Sequence, residues 1–267
     1  MQYGRAGQLV KEVLMLSIER RLLPGFGTTY GPGGDGPFPS VLVLHGSEGG
    51  FSGWSHCISM LLAAHGYLAY PYSYSQGGNA WNAGSIKDVP VDTTANALAA
   101  LRKFDFSTDK TGLYGVSRGG EHALLLASLM AAERSPEQPD AVAAHSPSDV
   151  ICGAFDAKRF RDPGDPGWRE WDPADRAWSW RGTSEELKPT TPIDINKYQG
   201  PLFLSHGSSD RVWSVDMTKR LESKLQNRKP HLEVHYYEGE DHMFSNEAYN
   251  KHHALLIQFF NRFLLTP

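Results

Sequence analysis

Short apolar runs alternate with longer amphipathic stretches along most of this chain, and that alternation limits the folds it can adopt. Short runs without polar alternation are typical of central strands that are covered on both faces. We predict strands at 41–44, 67–70, 112–114, 141–144, 202–204 and 232–237. We predict helices at 54–65, 91–104, 121–132, 216–226 and 248–264. This order indicates an α/β fold with a mostly parallel central sheet flanked by helices.

Two stretches do not follow the alternation. Residues 10–19 are expected to pair as antiparallel edge strands, and residues 25–39 are expected to form a loop. The stretch from about 147 to 199 has no strand run but holds four of the seven tryptophans. Because a structureless loop of this length is uncommon, we predict a Trp-rich cap insertion with short helices of its own. The chain, residues 1–267, is predicted to be a single domain that carries this cap.

Composition excludes several classes of protein. Hydrophobic residues make up 40% of the 267 residues and charged residues 21%, which fits a folded core rather than a disordered chain. The net charge of -4 offers no basic surplus for nucleic acid or anionic membrane. The two cysteines, Cys57 and Cys152, are far apart, so we expect no disulfide framework, no metal site and a reducing cytoplasm. Lys11 and Glu12 interrupt the apolar N-terminal letters, which argues against an export signal, and no run reaches the length of a membrane span.

One short motif suggests nucleophilic catalysis. Gly115-Val-Ser117-Arg-Gly119 follows a predicted strand and precedes a predicted helix, as the G-x-S-x-G nucleophile elbow requires. The turn is tight, so the flanking positions must be small, and the helix N-terminus favours developing negative charge. The alternative is a glycine-rich turn with a surface serine.

A serine hydroxyl needs a base and a group that orients the base. In enzymes with this elbow the acid and the histidine follow the serine in that order, each after a later strand. Asp210 follows the strand at 202–204, and His242 follows the strand at 232–237. We therefore predict Ser117, Asp210 and His242 as the catalytic residues, with no metal and no organic cofactor.

Other residues compete for these roles. Asp149 is the alternative acid. His45 and His206 also end strands, but we interpret them as structural or supporting residues. His122 lies in the helix after the motif, where packing is the simpler interpretation.

Acyl transfer also needs donors for an oxyanion. One predicted donor is the backbone N–H of Arg118, and the other comes from the glycine-rich loop at 45–50. We choose the N–H of Ser47, with Glu48 as the neighbouring option. The side chain of Arg118 either meets an anionic substrate group or, as we favour, pairs with Glu121.

Aromatic residues of the cap are predicted to line an apolar substrate pocket, because caps cover the carboxyl ends of the strands. The alternative is that they form only the core of the cap. The residues assigned to substrate binding are Glu48, Trp168, Trp171, Trp178 and Trp213.

Several blocks of this sequence resemble a known family. They are VLVLHGSEGG at 41–50, HGYLAYPY at 65–72, DVPV at 88–91, LYGVSRGGE at 113–121 and DRVW at 210–213. From about residue 38 to the end, the chain resembles dienelactone-hydrolase-like serine esterases of the α/β-hydrolase superfamily. Within that branch it is most similar to the C-terminal catalytic domain of acyl-CoA thioester hydrolases and bile-acid-CoA:amino-acid N-acyltransferases. The resemblance implies the α/β-hydrolase fold and the same three catalytic positions.

Two departures from those enzymes shape the expected function. The chain is too short to contain their N-terminal β-sandwich, and its His-Gly loop is more similar to a bacterial carboxylesterase. We therefore expect a serine carboxylesterase that acts on a small-molecule ester, with acyl-CoA thioester, dienelactone or C–C bond hydrolysis as alternatives. A catalytically inactive ligand-binding protein on the same fold is the alternative from a different class. We expect no nucleic-acid or membrane partner and allow for a homodimer.

Overall fold

The computed structural model describes residues 16–49, 53–75, 85–156, 172–226 and 229–265. In chain order its strands and helices are β1 (Ile18–Leu23), β2 (Gly27–Pro32), β3 (Phe38–Leu44), α1 (Trp54–Ala64), β4 (Leu68–Tyr72), β5 (Ser85–Ile86), β6 (Val89–Pro90), α2 (Val91–Arg102), β7 (Ser107–Val116), α3 (Arg118–Ala132), β8 (Ala141–His145), β9 (Gly153–Asp156), β10 (Asp172–Arg176), β11 (Trp178–Ser179), β12 (Leu202–Gly207), α4 (Asp216–Leu225), β13 (Leu232–Tyr237) and α5 (Asn246–Leu264).

Eight strands form the central sheet, in the order β1-β2-β4-β3-β7-β8-β12-β13. Every pair from β4 to β13 is parallel, whereas β1 pairs with β2 and β2 pairs with β4 in antiparallel fashion. The parallel strands therefore end at one edge of the sheet, where the loops after β3, β7, β12 and β13 meet. The predicted α/β class with a mostly parallel sheet is confirmed.

Side chains of the central strands are buried on both faces of the sheet. Along β3, Leu42 and Leu44 belong to the apolar cluster that includes α2 and α3. Val41 and Val43 point the other way, into the cluster that includes α1 and α5. Because successive residues of a strand face opposite sides, a strand between two helical layers is apolar throughout. This is the physical reason that the uninterrupted runs predicted strands correctly.

The structure corrects two boundaries near the start of the chain. The stretch 25–39 is not all loop, because β2 occupies Gly27–Pro32 and β3 begins at Phe38. The strand predicted at 67–70 continues through Pro71, since β4 spans Leu68–Tyr72. The ladder between β2 and β4 consists of the single pair Tyr30–Ala69. Proline is tolerated where a strand has an open edge. The N-terminal part of the predicted edge strands lies outside the described residues.

The described parts of the 147–199 stretch contain short strands rather than α-helices. β9 pairs with β5 and with β10, and β11 pairs with β6. A 3-10 turn at Ile195–Lys197 precedes β12. None of the described helices combines the length and the apolar character that a membrane crossing requires.

We expect Leu42→Ala to lower the free energy of unfolding by about 2–5 kcal/mol, because it deletes a fully buried side chain between the sheet and its helices. Leu22→Ala is the matched control, since Leu22 is 71% exposed, and it should change stability by no more than about 0.5 kcal/mol. Urea unfolding of both variants measures the difference. Equal losses would contradict this assignment of the core.

Candidate active site

The turn that carries Ser117 is held in a strained conformation by close packing of backbone. Ser117 alone separates β7 from α3, and its φ of 53° lies in the left-handed region, which is costly for a residue with a side chain. A Cβ on Gly115 would collide with the carbonyl oxygen of Gly119, and a Cβ on Gly119 would collide with that of His45. The motif therefore requires both glycines for steric reasons.

A buried aspartate orients a histidine at the same edge of the sheet. Nδ1 of His242 lies 2.7 Å from Oδ2 of Asp210. The other carboxylate oxygen accepts hydrogen bonds of 2.8 Å from the backbone N–H groups of Val212 and Trp213. Nε2 of His206 also approaches Oδ2 of Asp210, at 3.0 Å. These contacts fix the Asp210 carboxylate against the imidazole of His242.

The hydrogen bonds decide the protonation of this carboxylate. Burial acts to raise the pKa of Asp210, but the hydrogen bonds from His206 and His242 outweigh it and hold that pKa well below its usual range. An ionised carboxylate can only accept a hydrogen bond. Nδ1 of His242 therefore carries the proton, and Nε2 of the neutral ring is left as the proton acceptor.

An ion pair ties together the loops that hold Asp210 and His242. The backbone N–H of Arg211 donates to Oδ1 of Asp241 at 2.9 Å, and the Nε of Arg211 donates to Oδ2 at 2.6 Å. Oδ1 of Asp241 also accepts the backbone N–H of His242 at 2.7 Å. The sequence neighbours of the aspartate and of the histidine thus link the two loops directly.

A cavity of about 260 Å³ opens beside Ser117 and His242. Its lining is mostly apolar and includes the rings of Trp54, Phe155 and Trp213. Of the predicted residues that the structure describes, six line it: Ser47, Glu48, Ser117, Arg118, Trp213 and His242. The sequence analysis missed Trp54, Phe155, Val116, Val212 and Met243. Three of these five are sequence neighbours of a predicted catalytic residue or of Trp213, which was the available signal.

The glycine-rich loop after β3 borders the same cavity. Ser47 and Glu48 line it, and the N–H of Arg118 belongs to the first turn of α3, where N–H groups have no acceptor within the helix. Oε1 of Glu48 accepts the backbone N–H of Gly46 at 2.8 Å. Burial raises the pKa of Glu48. Hydrogen bonds from the N–H groups of Gly46 and of Glu48 itself act to lower this pKa, as does the nearby ring of His242, but their combined effect is smaller.

The tryptophans predicted to bind substrate lie in different places. Trp213 lines the cavity, and its ring meets that of His242 edge-on at 6.2 Å. Trp178 is fully buried away from the cavity, where its indole N–H donates to Glu121 at 2.7 Å and its ring packs on His122. The structure therefore does not bring Trp178 to the candidate site. Trp168 and Trp171 lie outside the described residues.

A buried ion pair fixes the first turn of α3 to the inserted stretch. Arg118 is only 1% exposed and donates to Oε2 of Glu121 at 2.8 Å and to the carbonyl oxygen of Gly153. The other oxygen of Glu121 accepts the backbone N–H of Cys152 at 2.8 Å and the indole N–H of Trp178. The expected Arg118–Glu121 pair is confirmed, so the charge of Arg118 is neutralised inside the protein.

The competing residues either pair with other groups or support Asp210. Both carboxylate oxygens of Asp149 accept from Arg220 at 2.7 Å. His206 contacts Thr218 through Nδ1 at 2.8 Å, in addition to Asp210. His45 stacks on Tyr74 with ring centroids 4.0 Å apart. Each of these contacts agrees with a supporting role rather than with acid–base chemistry.

Solved structures with this architecture define the class of protein. A Klebsiella pneumoniae protein with a provisional assignment as a dienelactone hydrolase has a TM-score of 0.64 and 17% identity over 92% of this chain and 98% of its own. A butyrate-bound thermophilic esterase, Est2 of Thermogutta terrifontis, has a TM-score of 0.63 and 16% identity, with coverage of 94% and 96%. The fold is that of the α/β-hydrolases.

Sequence comparisons then give the family. The model of the prolyl oligopeptidase family, Peptidase_S9, matches residues 74–266, and this chain belongs to that family. It is a hydrolase of the esterase and peptidase type. The resemblance to dienelactone hydrolases and acyl-CoA thioesterases is also confirmed.

Two further proteins are similar to this chain in sequence. Acyl-coenzyme A thioesterase 6 of Mus musculus is 26% identical over 224 residues, which are 80% of this chain and 51% of that protein. The uncharacterized peptidase YtmA of Bacillus subtilis is 26% identical over 195 residues, covering 68% of this chain and 67% of its own length. The chain thus spans about half the length of the mouse relative.

We expect Glu121→Gln to lower the free energy of unfolding by about 3–5 kcal/mol, because it leaves the buried Arg118 guanidinium without its counter-charge. Glu133→Gln is the matched control at the end of the same helix. Its ion pair with Arg181 is exposed (37% and 57% of the side chains), so the loss should stay below about 1 kcal/mol. Urea unfolding distinguishes the two; similar losses would mean that the buried pair contributes no more than a surface one.

The depressed pKa of Asp210 predicts a pH-dependent contribution to stability. In the unfolded chain the pKa of an aspartate is about 4. The contribution of Asp210 to stability is therefore complete above that pH, and it is lost as the pH falls toward the lower pKa of the folded state. We expect the difference in unfolding free energy between wild type and Asp210→Asn to be larger at pH 7 than at pH 3. A difference that stays constant would show that folding does not shift this pKa.

Proposed function

We propose that this chain is a serine carboxylesterase that cleaves carboxylic esters through an acyl-enzyme. The observation that carries the proposal is the 2.7 Å contact of His242 with the buried Asp210 carboxylate, at a cavity that Ser117 also lines. Nucleophilic serine catalysis requires this set of groups. The strained turn at Ser117 and its place before a helix N-terminus support the same conclusion.

In the proposed mechanism Ser117 Oγ attacks the ester carbonyl while Nε2 of His242 accepts its proton. Asp210 keeps the imidazole in the reactive tautomer and stabilises its charged form. The backbone N–H groups of Arg118 and Ser47 stabilise the oxyanion. His242 then donates the proton to the leaving alcohol, and water, activated by the same ring, hydrolyses the acyl-enzyme and regenerates Ser117.

The cavity supports an ester with a small apolar group. Its volume of about 260 Å³ and its aromatic lining suit a short acyl or alcohol group rather than a long chain. The Thermogutta relative in fold is an esterase with bound butyrate, which agrees with this size. Trp213 and Glu48 are the predicted substrate-binding residues that line the cavity.

Thioester hydrolysis is the second candidate, and the thioesterase relative favours it. The chemistry at Ser117 would be the same, but the leaving group would be a thiol. Because the chain belongs to the prolyl oligopeptidase family, peptides are a further candidate substrate class. The similarity to the Klebsiella protein makes dienelactones another candidate. The cap at 147–199, a cytoplasmic location and a homodimer stay predictions.

We expect purified protein to hydrolyse p-nitrophenyl acetate and butyrate with higher kcat/KM than the octanoate or acetyl-CoA and octanoyl-CoA. Ser117→Ala should lower kcat/KM for the esters by about 10³-fold or more, because the acyl-enzyme cannot form. Ser223→Ala removes an exposed serine hydroxyl from α4 and is the matched control, with unchanged activity.

The other outcomes separate the alternatives. A preference for CoA thioesters by more than tenfold in kcat/KM would replace the esterase proposal with thioester hydrolysis. Full activity in Ser117→Ala would exclude Ser117 as the nucleophile. No turnover, together with no labelling by a fluorophosphonate serine probe, would favour the inactive ligand-binding protein.

A further inference from the structure

The two side chains of opposite charge that line the cavity, Arg118 and Glu48, differ in whether the protein itself compensates their charge. Arg118 lines the cavity, but its guanidinium is nearly fully buried and paired with Glu121 and the carbonyl oxygen of Gly153. Its positive charge is therefore compensated within the protein. Among the described residues that line the cavity, the one other carboxylate or ammonium-type group is Glu48.

The carboxylate of Glu48 lies next to the nucleophile. Gly46 separates them: a Cβ placed on Gly46 would collide with Oε2 of Glu48 and lie 3.4 Å from the Cβ of Ser117. Within the described part of the chain, backbone N–H groups of Gly46 and of Glu48 itself donate to the Glu48 carboxylate, and it forms no ion pair with a described lysine or arginine. A half-buried carboxylate of this kind is stabilised when a cation comes close to it.

Aromatic rings form part of the cavity wall. Trp54, Phe155 and Trp213 line the same cavity as Glu48. The face of an aromatic ring is negative and attracts an organic cation. A carboxylate together with several rings is an environment that binds alkylammonium groups, whose methyl groups are apolar and whose charge is diffuse. The same environment disfavours an anion, which would face Glu48 and the ring faces.

We propose that the ester preferred by this enzyme carries an organic ammonium group, which occupies the cavity between Glu48 and the tryptophan rings. The inference rests on the proposed esterase function and names its substrate class. It makes Glu48 a specificity-determining residue.

Two isosteric substrate pairs test the proposal, one for each side of the ester bond. Butyrylcholine is compared with 3,3-dimethylbutyl butyrate, in which carbon replaces the nitrogen of the alcohol group. The p-nitrophenyl ester of 4-(trimethylammonio)butyrate is compared with that of 5,5-dimethylhexanoate, which makes the same replacement in the acyl group. We expect the cationic member of at least one pair to have a kcat/KM about tenfold higher than its neutral isostere.

The ratio within a pair cancels general effects of a mutation. Glu48→Gln should reduce the cation-to-neutral ratio to near one, because it removes the charge and keeps the size of the side chain. Trp213→Leu should lower the ratio independently, through loss of the ring. Glu185→Gln changes an exposed glutamate outside the cavity and should leave the ratio unchanged.

The outcomes distinguish this inference from the proposed function. If wild type hydrolyses the neutral esters in a Ser117-dependent way but prefers the cation in neither pair, the esterase function stands and the ammonium proposal is wrong. The proposal is also overturned if a cation preference survives Glu48→Gln and Trp213→Leu. If no ester is hydrolysed, both the function and the inference fail.

Discussion

The carboxyl edge of the sheet depends on how closely the backbone of α3 approaches β7 and β3. A side chain at Gly115 or Gly119 would intrude on a carbonyl oxygen of the neighbouring segment. Since backbone atoms make this contact, no rearrangement of side chains can substitute for it. The contact fixes the positive φ of Ser117 and brings the glycine-rich loop after β3 to the serine. The strain at this turn is sustained by the eight-stranded sheet around it.

The pair Arg118–Glu121 extends this arrangement outward. A buried ion pair is costly to desolvate and is tolerated when hydrogen bonds satisfy the remaining atoms. Here the carboxylate of Glu121 also accepts a backbone N–H and an indole N–H, and both donors come from the inserted stretch. The first turn of α3 therefore positions both Ser117 and the part of the inserted stretch that contributes to the cavity wall. With Arg118 paired, Glu48 is the uncompensated carboxylate among the described residues that line the cavity.

Sequence patterns predicted those features that depend on local order. The apolar runs predicted the central strands. The chain order of Ser117, Asp210 and His242 predicted one site: in the structure His242 contacts Asp210, and Ser117 lines the same cavity as His242. The ion pair of Arg118 with the nearby Glu121 was also predicted. The sequence could not show the direction of an indole, so Trp178 was assigned to substrate although it is buried. Phe155 was missed because its position depends on pairing between segments far apart in the chain.

Ser117 and His242 follow strands of the sheet that differ in their burial. β7, which leads to Ser117, is central and buried along its second half, whereas β13, which leads to His242, is an edge strand with mostly half-buried side chains. Edge segments open locally at lower free energy than a core. The ion pair between Arg211 and Asp241 connects the loop after β13 to the loop after β12. On the proposed function, opening of β13 would move His242 away from Asp210 while the turn at Ser117 and the central strands stay folded, so activity would be lost before the chain unfolds.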